Sequence, residues 1–465
     1  MTAVRLTPGQ HIHLVGIGGA GLSAIARVLL QQGYHVSGSD RSASALTDAL
    51  AREGVTVYIG HDAQHVLGAE LVVASSAVAD DHVEVAMARA LDIPVYRRRD
   101  IIGAVTSGQQ VIAVAGTHGK TTTSAMIVHV LRAAGHDPSY IVGGVLRATG
   151  TNAGVGRGPA FVIEADEYDN MFHGLRPHTA VVTSVEFDHP DFFATPNDMV
   201  QAFAHFVSLL PPDGLLVACA DDPAALVLAQ NRLVQGLPVT TYGLDSGLAA
   251  WRGLNLRLEA DATVFDAGHD GRPRGAVRLR VPGAHNARNA LAALAVAEKQ
   301  GVPFASAAAA LAAFEGTERR FELRGDVGGV AVIDDYAHHP TAIRMTLEAA
   351  RQRYPGRTLW AVWQPHTYSR TQALLDGYAA AFGAADHVVV TDIYAAREQP
   401  IPGVTGAAAA AAIAHPNVHY APGLADAARL LDTAARPPAV VVIMSAGDAP
   451  EIGAALLRLR RAQSR

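Results

Sequence analysis

At 465 residues and 48.5 kDa the chain is too long for one hydrophobic core, and its length predicts about three domains. Acidic residues outnumber basic ones 43 to 37, a net charge of −6 that excludes a general nucleic-acid binder or a polybasic membrane protein. The single cysteine, Cys219, rules out an internal disulfide framework and predicts a cytoplasmic setting; no apolar run reaches the ~20 residues of a membrane span, and residues 1–10 carry no signal-peptide core.

Residues 11–15 predict a strand that runs into Gly16-Ile17-Gly18-Gly19-Ala20-Gly21, followed by a helical apolar pattern from Leu22 to Leu30 and a second strand over residues 34–37 that leads to Asp40. This is G-x-G-x-x-G between a strand and a helix, with an acid about 20 residues on. Bare glycines let the backbone approach a diphosphate, and the helix N-terminus supplies amide donors. The candidate binding group is therefore Gly16, Gly18, Gly19, Ala20 and Gly21, with Asp40 for a ribose hydroxyl; the motif does not choose between NAD, FAD and a UDP-sugar. His11 and His13 alternate along the strand, but as a zinc pair they lack a third ligand. Arg97-Arg98-Arg99 reads as a solvated joint between domains.

A second strand–turn–helix follows: residues 111–115, then Gly116-Thr117-His118-Gly119-Lys120-Thr121-Thr122. A full Walker A loop would have glycine at position 114, where Val114 stands, so this is a shortened phosphate loop. Its parts remain: inward amides, Lys120 for β/γ-phosphate charge and the Thr121 hydroxyl for Mg²⁺. Only two of the 37 basic residues are lysines, Lys120 and Lys299, so a compact ammonium kept in this loop points to a specific need for one. The loop predicts ATP binding.

Two acidic segments come next. A strand over residues 161–163 ends in Glu164-Ala165-Asp166-Glu167-Tyr168-Asp169, and one over residues 180–185 ends in Glu186-Phe187-Asp188-His189. Carboxylates and an imidazole at the carboxyl ends of parallel strands suit Mg²⁺ bridging phosphate and substrate. No lysine lies between Lys120 and Lys299, which excludes a lysine-derived metal ligand in this stretch. Cys219, at the end of residues 215–219, reads as a small buried strand residue. A third strand start falls at residues 330–333. Strands alternating with helical patterns predict parallel sheets covered by helices, with joints after Arg99 and between residues 316 and 324.

Taken together, the two glycine turns, the two acidic segments, Pro282-Gly283-Ala284-His285-Asn286-Ala287-Arg288-Asn289, Arg319-Arg320-Phe321-Glu322 and Asp334-Asp335-Tyr336-Ala337-His338-His339-Pro340 resemble the Mur ligase family over nearly the whole chain. Gln364-Pro365-His366-Thr367-Tyr368-Ser369-Arg370 and Thr391-Asp392-Ile393-Tyr394-Ala395-Ala396 resemble its alanine-adding branch. The resemblance implies an α/β fold of three domains: a Rossmann-like N-terminal domain that binds the UDP-substrate (1–107), a central P-loop-type ATPase domain (108–318) and a Rossmann-like C-terminal domain that closes over the site (319–465). It implies an ATP- and Mg²⁺-dependent ligase joining L-alanine to the lactyl carboxylate of UDP-N-acetylmuramate through an acyl phosphate, with no nucleic-acid partner and no membrane insertion.

By motif position, the resemblance assigns Gly116, Thr117, His118, Gly119, Lys120, Thr121 and Thr122 to ATP, Asn289 to the adenine, and Arg320 and Asp335 to its ribose. Thr121, Glu164 and His189 become metal ligands, and Lys120, Glu164, His189, His338 and Arg370 catalytic groups. Glu167-Tyr168-Asp169 and Glu186-Phe187-Asp188 lean toward the related ligase that reattaches murein tripeptide to UDP-N-acetylmuramate, and Thr367 stands where some relatives carry arginine. Two other classes compete: a nicotinamide oxidoreductase using residues 16–40, which leaves Lys120 and the acids unexplained, and a nucleotide sensor without turnover.

Overall fold

Runs of valine, isoleucine and alanine with few polar interruptions form strands buried on both faces, which is the pattern of a parallel sheet between helices. The computed structural model describes residues 4–463 and has three such sheets. The first contains β1 (His11–Val15), β2 (His35–Asp40), β3 (Thr56–Ile59), β4 (Leu71–Ala74) and β5 (Val95–Arg97) in the order β3-β2-β1-β4-β5, all parallel. The strand order reverses between β1 and β4, so a ligand crevice opens at their carboxyl ends, where Gly16 begins.

The second sheet is built on β6 (Gln110–Ala115), β7 (Ser139–Leu146), β8 (Thr151–Gly154), β9 (Ala160–Glu164), β10 (Thr179–Val182), β11 (Leu215–Cys219) and β12 (Val239–Gly243). Their order is β12-β11-β10-β6-β9-β7-β8, and β13 (Trp251–Leu258) adds its first residues to β12. The phosphate-loop strand β6 is thus central, flanked by the two strands that carry the acids. β10 is shorter than the expected 180–185. Past Val182 the chain leaves the ladder because Thr183 and Ser184 turn their polar atoms to the loop: Thr117 N donates to Ser184 O at 3.0 Å and His118 N to Ser184 Oγ at 3.1 Å. Cys219 is buried, as expected of a strand residue.

By compactness the chain forms two units, one of residues up to Glu186 with Asn197–Arg252 and Ala290–Ala310, the other of Phe187–Pro196, Gly253–Asn289 and Leu311 onward. Within the first unit the two sheets meet directly. The helix Arg98–Val105 approaches the 3-10 segment Tyr168–Gly174 so closely that a Cβ on Gly174 would lie 1.9 Å from Arg99 O. Arg27 joins them by donating to Asn152 Oδ1 at 2.7 Å and Glu53 at 2.7 Å.

The second unit holds the hairpin β14 (Thr263–His269) and β15 (Arg272–Leu279) and the third sheet. That sheet comprises β16 (Glu322–Val327), β17 (Val330–Asp335), β18 (Thr358–Trp363), β19 (His387–Val390), β20 (Val418–Tyr420) and β21 (Ala439–Met444), in the order β16-β17-β21-β18-β19-β20. Only the edge strand β16 is antiparallel to its neighbour. Trp363, Tyr378 and Phe382 fill one face of it, and Trp360, Leu431 and Leu456 the other.

Candidate active site

The second glycine turn is shaped by sterics. Gly116 has φ +139°, and a Cβ there would lie 1.9 Å from Thr183 Oγ1; Gly119, φ +80°, caps the helix Lys120–Ala133. Only glycine fits both positions. From the first turn of that helix Lys120 Nζ reaches Gly116 O at 2.5 Å and the buried Glu167 at 2.8 Å. Burial pulls the ammonium pKa down, but Glu167, Glu164 and Asp166 outweigh it and raise it above its ordinary value, so the cation is kept. Thr121 Oγ1 lies 3.1 Å from Glu164 Oε1, and Gly143 N donates to Glu164 Oε2 at 2.7 Å. His118 Nε2 meets Glu186 Oε2 at 2.7 Å, while Thr117 Oγ1 bonds the Glu186 backbone; Thr122 follows, half-buried. One turn thus gathers an ammonium, two hydroxyls, amides and three acids.

At the first turn, Gly16 N and Ile17 N donate to Ser39 O, and Gly18 N donates to Asp40 Oδ2 at 2.8 Å. Asp40 therefore holds the turn itself. Gly19 caps the helix Ala20–Gln31 with no side chain on the first amides and no acid in the first turn; Gly19 and Ala20 are exposed. Arg98, expected in a solvated joint, is instead mostly buried. Its Nη1 would be 2.5 Å from a Cβ on Gly21, and its Nη2 donates to Asp166 at 3.2 Å. Arg97 is also engaged, bonding the carbonyls of Ser75 and Val78.

In the second unit, Asp188 and Arg370 form a buried pair, Nε to Oδ1 at 2.6 Å. Burial would raise the Asp188 pKa, but Arg370 and the nearby imidazoles hold it well below the carboxylate range. The other guanidinium nitrogens reach His366 O at 2.9 Å and His189 Nδ1 at 3.3 Å, so Arg370 organises Asp188, His189 and His366. His338 Nδ1 meets Tyr336 O at 2.8 Å; burial, reinforced by Arg370, holds its pKa well below 6.5, so the ring is neutral with Nε2 as the acceptor. Asp335 accepts from Phe321 N and Ala337 N, both at 2.7 Å, and Arg320 lies over the Tyr336 ring at 5.2 Å. Asn289 Nδ2 donates to Asn286 Oδ1 at 3.2 Å. Thr367 Oγ1 bonds Glu398, a residue sequence reading passed over. The structure brings Lys120, Thr121 and Glu164 together in the first unit, and His189, His338 and Arg370 in the second.

Three family models match in chain order: "Mur ligase family, catalytic domain" over residues 11–110, "Mur ligase middle domain" over 114–297 and "Mur ligase, glutamate ligase domain" over 319–447. A UDP-N-acetylmuramate–L-alanine ligase of Renibacterium salmoninarum is 44% identical over 98% of this chain and 97% of its own. The chain belongs to the Mur ligase family. Among solved structures, a UDP-N-acetylmuramate–alanine ligase of Thermotoga maritima superposes with a TM-score of 0.82 at 27% identity, over 98% of this chain and 100% of the other. A murein peptide ligase of Psychrobacter arcticus gives 0.72 at 29%, over 97% and 99%.

Against that family frame, sequence reading missed Arg98, the Gly143 amide on Glu164, and the burial of Arg370. The signal for Arg98 was local: a helix beginning at an arginine that must satisfy its own charge near a glycine turn. For Gly143 and Arg370 no local signal exists, because their partners lie 21 and 182 residues away.

Proposed function

We propose that this chain is an ATP-dependent amide ligase that joins L-alanine to the lactyl carboxylate of UDP-N-acetylmuramate, releasing ADP and phosphate, in the cytoplasmic synthesis of peptidoglycan precursors on which cell shape and division depend. The observation that carries the reading is Lys120 and Thr121 on one glycine turn with Glu164 against it, in a chain 41–45% identical to relatives named UDP-N-acetylmuramate–L-alanine ligase over at least 94% of its length. The names of those relatives support alanine rather than murein tripeptide as the acceptor here. The domain limits 1–107, 108–318 and 319–465 belong to the same proposal.

A carboxylate resists amines because its oxygen leaves badly. Transfer of the γ-phosphoryl group of ATP to that oxygen makes an acyl phosphate and ADP. Attack by the amine gives a tetrahedral centre that expels phosphate and leaves the amide. Lys120, held cationic, would neutralise charge developing on the β/γ-phosphates, and the amides of Gly119–Thr122 would cradle them. The oxygens of Thr121 and Glu164 form a hard donor set that fits Mg²⁺, with His189 the imidazole assigned to a second ion; when bound, the metal would screen phosphate charge. His338, neutral with Nε2 as the acceptor, would accept a hydrogen bond from the incoming amine and orient it, and Arg370 would position His189 and Asp188. Asn289 is assigned to the adenine, and Arg320 with Asp335 to its ribose. The exposed helix N-terminus at Gly19 and Ala20, with Arg98 beside Gly21, suits the UDP diphosphate.

The test is coupled ADP release. ADP should form only with UDP-N-acetylmuramate, L-alanine and Mg²⁺ all present, and Lys120→Ala should abolish it while UDP-substrate binding persists. A nicotinamide absorbance change, equal turnover with glycine or murein tripeptide, or normal turnover in the variant would overturn the reading.

A further inference from the structure

Outside both glycine turns, the first sheet carries a cluster to which the reaction as derived above gives no role. Its hub is Glu84, with no exposed surface, in the first turn of the helix Val83–Ala90. Oε2 accepts from Ser39 Oγ at 2.6 Å and meets His13 Nε2 at 3.1 Å. Oε1 faces the Nδ1 atoms of His61 and His65, each at 3.2 Å, and accepts from Asp62 N at 3.2 Å. None of these partners is lysine or arginine, so imidazoles, one hydroxyl and one backbone amide compensate the carboxylate.

His82, the cap of that helix, sets its ring edge-on to His61 with centroids 4.5 Å apart. One ligand atom each of His61, His82 and Glu84 lies within 4.8 Å of the others. The His65 ring is fixed beside them, stacked on Tyr58 at 4.1 Å. Tetrahedral coordination at ~2.0–2.1 Å needs ligand atoms about 3.3 Å apart, so small ring rotations by His61 and His82 would close the set. Glu84 lies at the floor, while His61 and His82 reach the solvent side and leave a way in. Ser39 and His13 already orient the floor carboxylate, as outer-shell partners of a metal ligand do. His11 and His13, the pair visible in the sequence, instead both turn to Ser37 Oγ at 2.8 Å.

We propose that His61, His82 and Glu84 bind a late first-row divalent cation of the zinc class, with His65 the nearest fourth ligand. Imidazole donors select such ions over Mg²⁺, which prefers oxygen. The site has a structural consequence: Ser39, which holds Glu84 through its hydroxyl, receives the Gly16 and Ile17 amides on its carbonyl, so a bound ion would stiffen the first glycine turn.

The test uses the full chain stripped with chelator and titrated with Zn²⁺ or Co²⁺ in excess Mg²⁺, which occupies oxygen-rich sites. One zinc per chain, a four-coordinate cobalt absorption spectrum and a higher melting temperature are expected. His82→Asn and His61→Asn, on the accessible side, should each lower zinc affinity at least about tenfold and erase the cobalt spectrum. Glu164→Gln, beside the phosphate loop, should leave both unchanged. No stoichiometric zinc in the unmodified chain, or unaltered binding in both histidine variants, would overturn the proposal. The readout is independent of ligase turnover.

Discussion

Gly116→Ala tests whether the second glycine turn is held by sterics that only glycine satisfies. The added methyl would stand 1.9 Å from Thr183 Oγ1, 2.9 Å from Ser184 N and 3.1 Å from Ser184 O, at φ +139°. Backbone strain of that kind costs about 1–3 kcal/mol. Moving Thr183 aside also breaks its bonds to Ala115 O (3.2 Å) and His118 O, at about 1 kcal/mol each. The sum, about 3–5 kcal/mol, falls on the loop shape that cradles phosphate, so kcat/KM for ATP should drop by roughly 10²–10³-fold or more. ADP release measures the loss, and calorimetric titration of the UDP-substrate should change less than about twofold, because its candidate turn lies on another sheet. Adding Thr183→Ala removes the 1.9 Å contact but not the φ strain, so the double variant should recover only part of the activity. A kcat/KM within about threefold of the unmodified enzyme in Gly116→Ala would refute the reasoning.

Burial, against the pull of Arg319, pushes the Asp334 carboxyl pKa up to about 6. The folded state therefore binds a proton that the unfolded chain releases near pH ~4, and Asp334 costs stability as pH rises from about 4 to 6, up to about 3 kcal/mol in all. Asp334→Asn should raise the melting temperature at pH 7.5 and lose that advantage toward pH 4; lower stability at pH 7.5 would contradict it. Arg98→Ala removes the guanidinium beside Gly21 and should weaken UDP-substrate binding about 10–100-fold by calorimetric titration, with kcat little changed. Asp188→Asn leaves the buried Arg370 charge uncompensated and should lower stability by about 2–4 kcal/mol, read as an earlier thermal transition, with Asp188→Leu/Arg370→Met less affected than the single change.

The α/β fold class and the phosphate turns were legible because they rest on local rules. Apolar β-branched runs buried on both faces make parallel strands, and Gly16, Gly116 and Gly119 occupy backbone angles that side chains disfavour. Lys120 stood out because all but one of the chain's other basic residues are arginine. Strand β10 ended early for a reason no period reveals: Thr183 and Ser184 are drawn to a loop 65 or more residues upstream.

The sequence by itself determined where strands give way to glycine turns and which side chains follow each turn, since those depend on neighbours in the chain. Only the tertiary structure decided what each charge does. Glu84 gathers His13 from 71 residues away, Arg98 meets Asp166 across 68, and Arg370 is buried against Asp188 across 182. An ionised group lowers its energy by whatever counter-charge the fold delivers in a low-dielectric interior, and that delivery is a property of packing rather than of order along the chain.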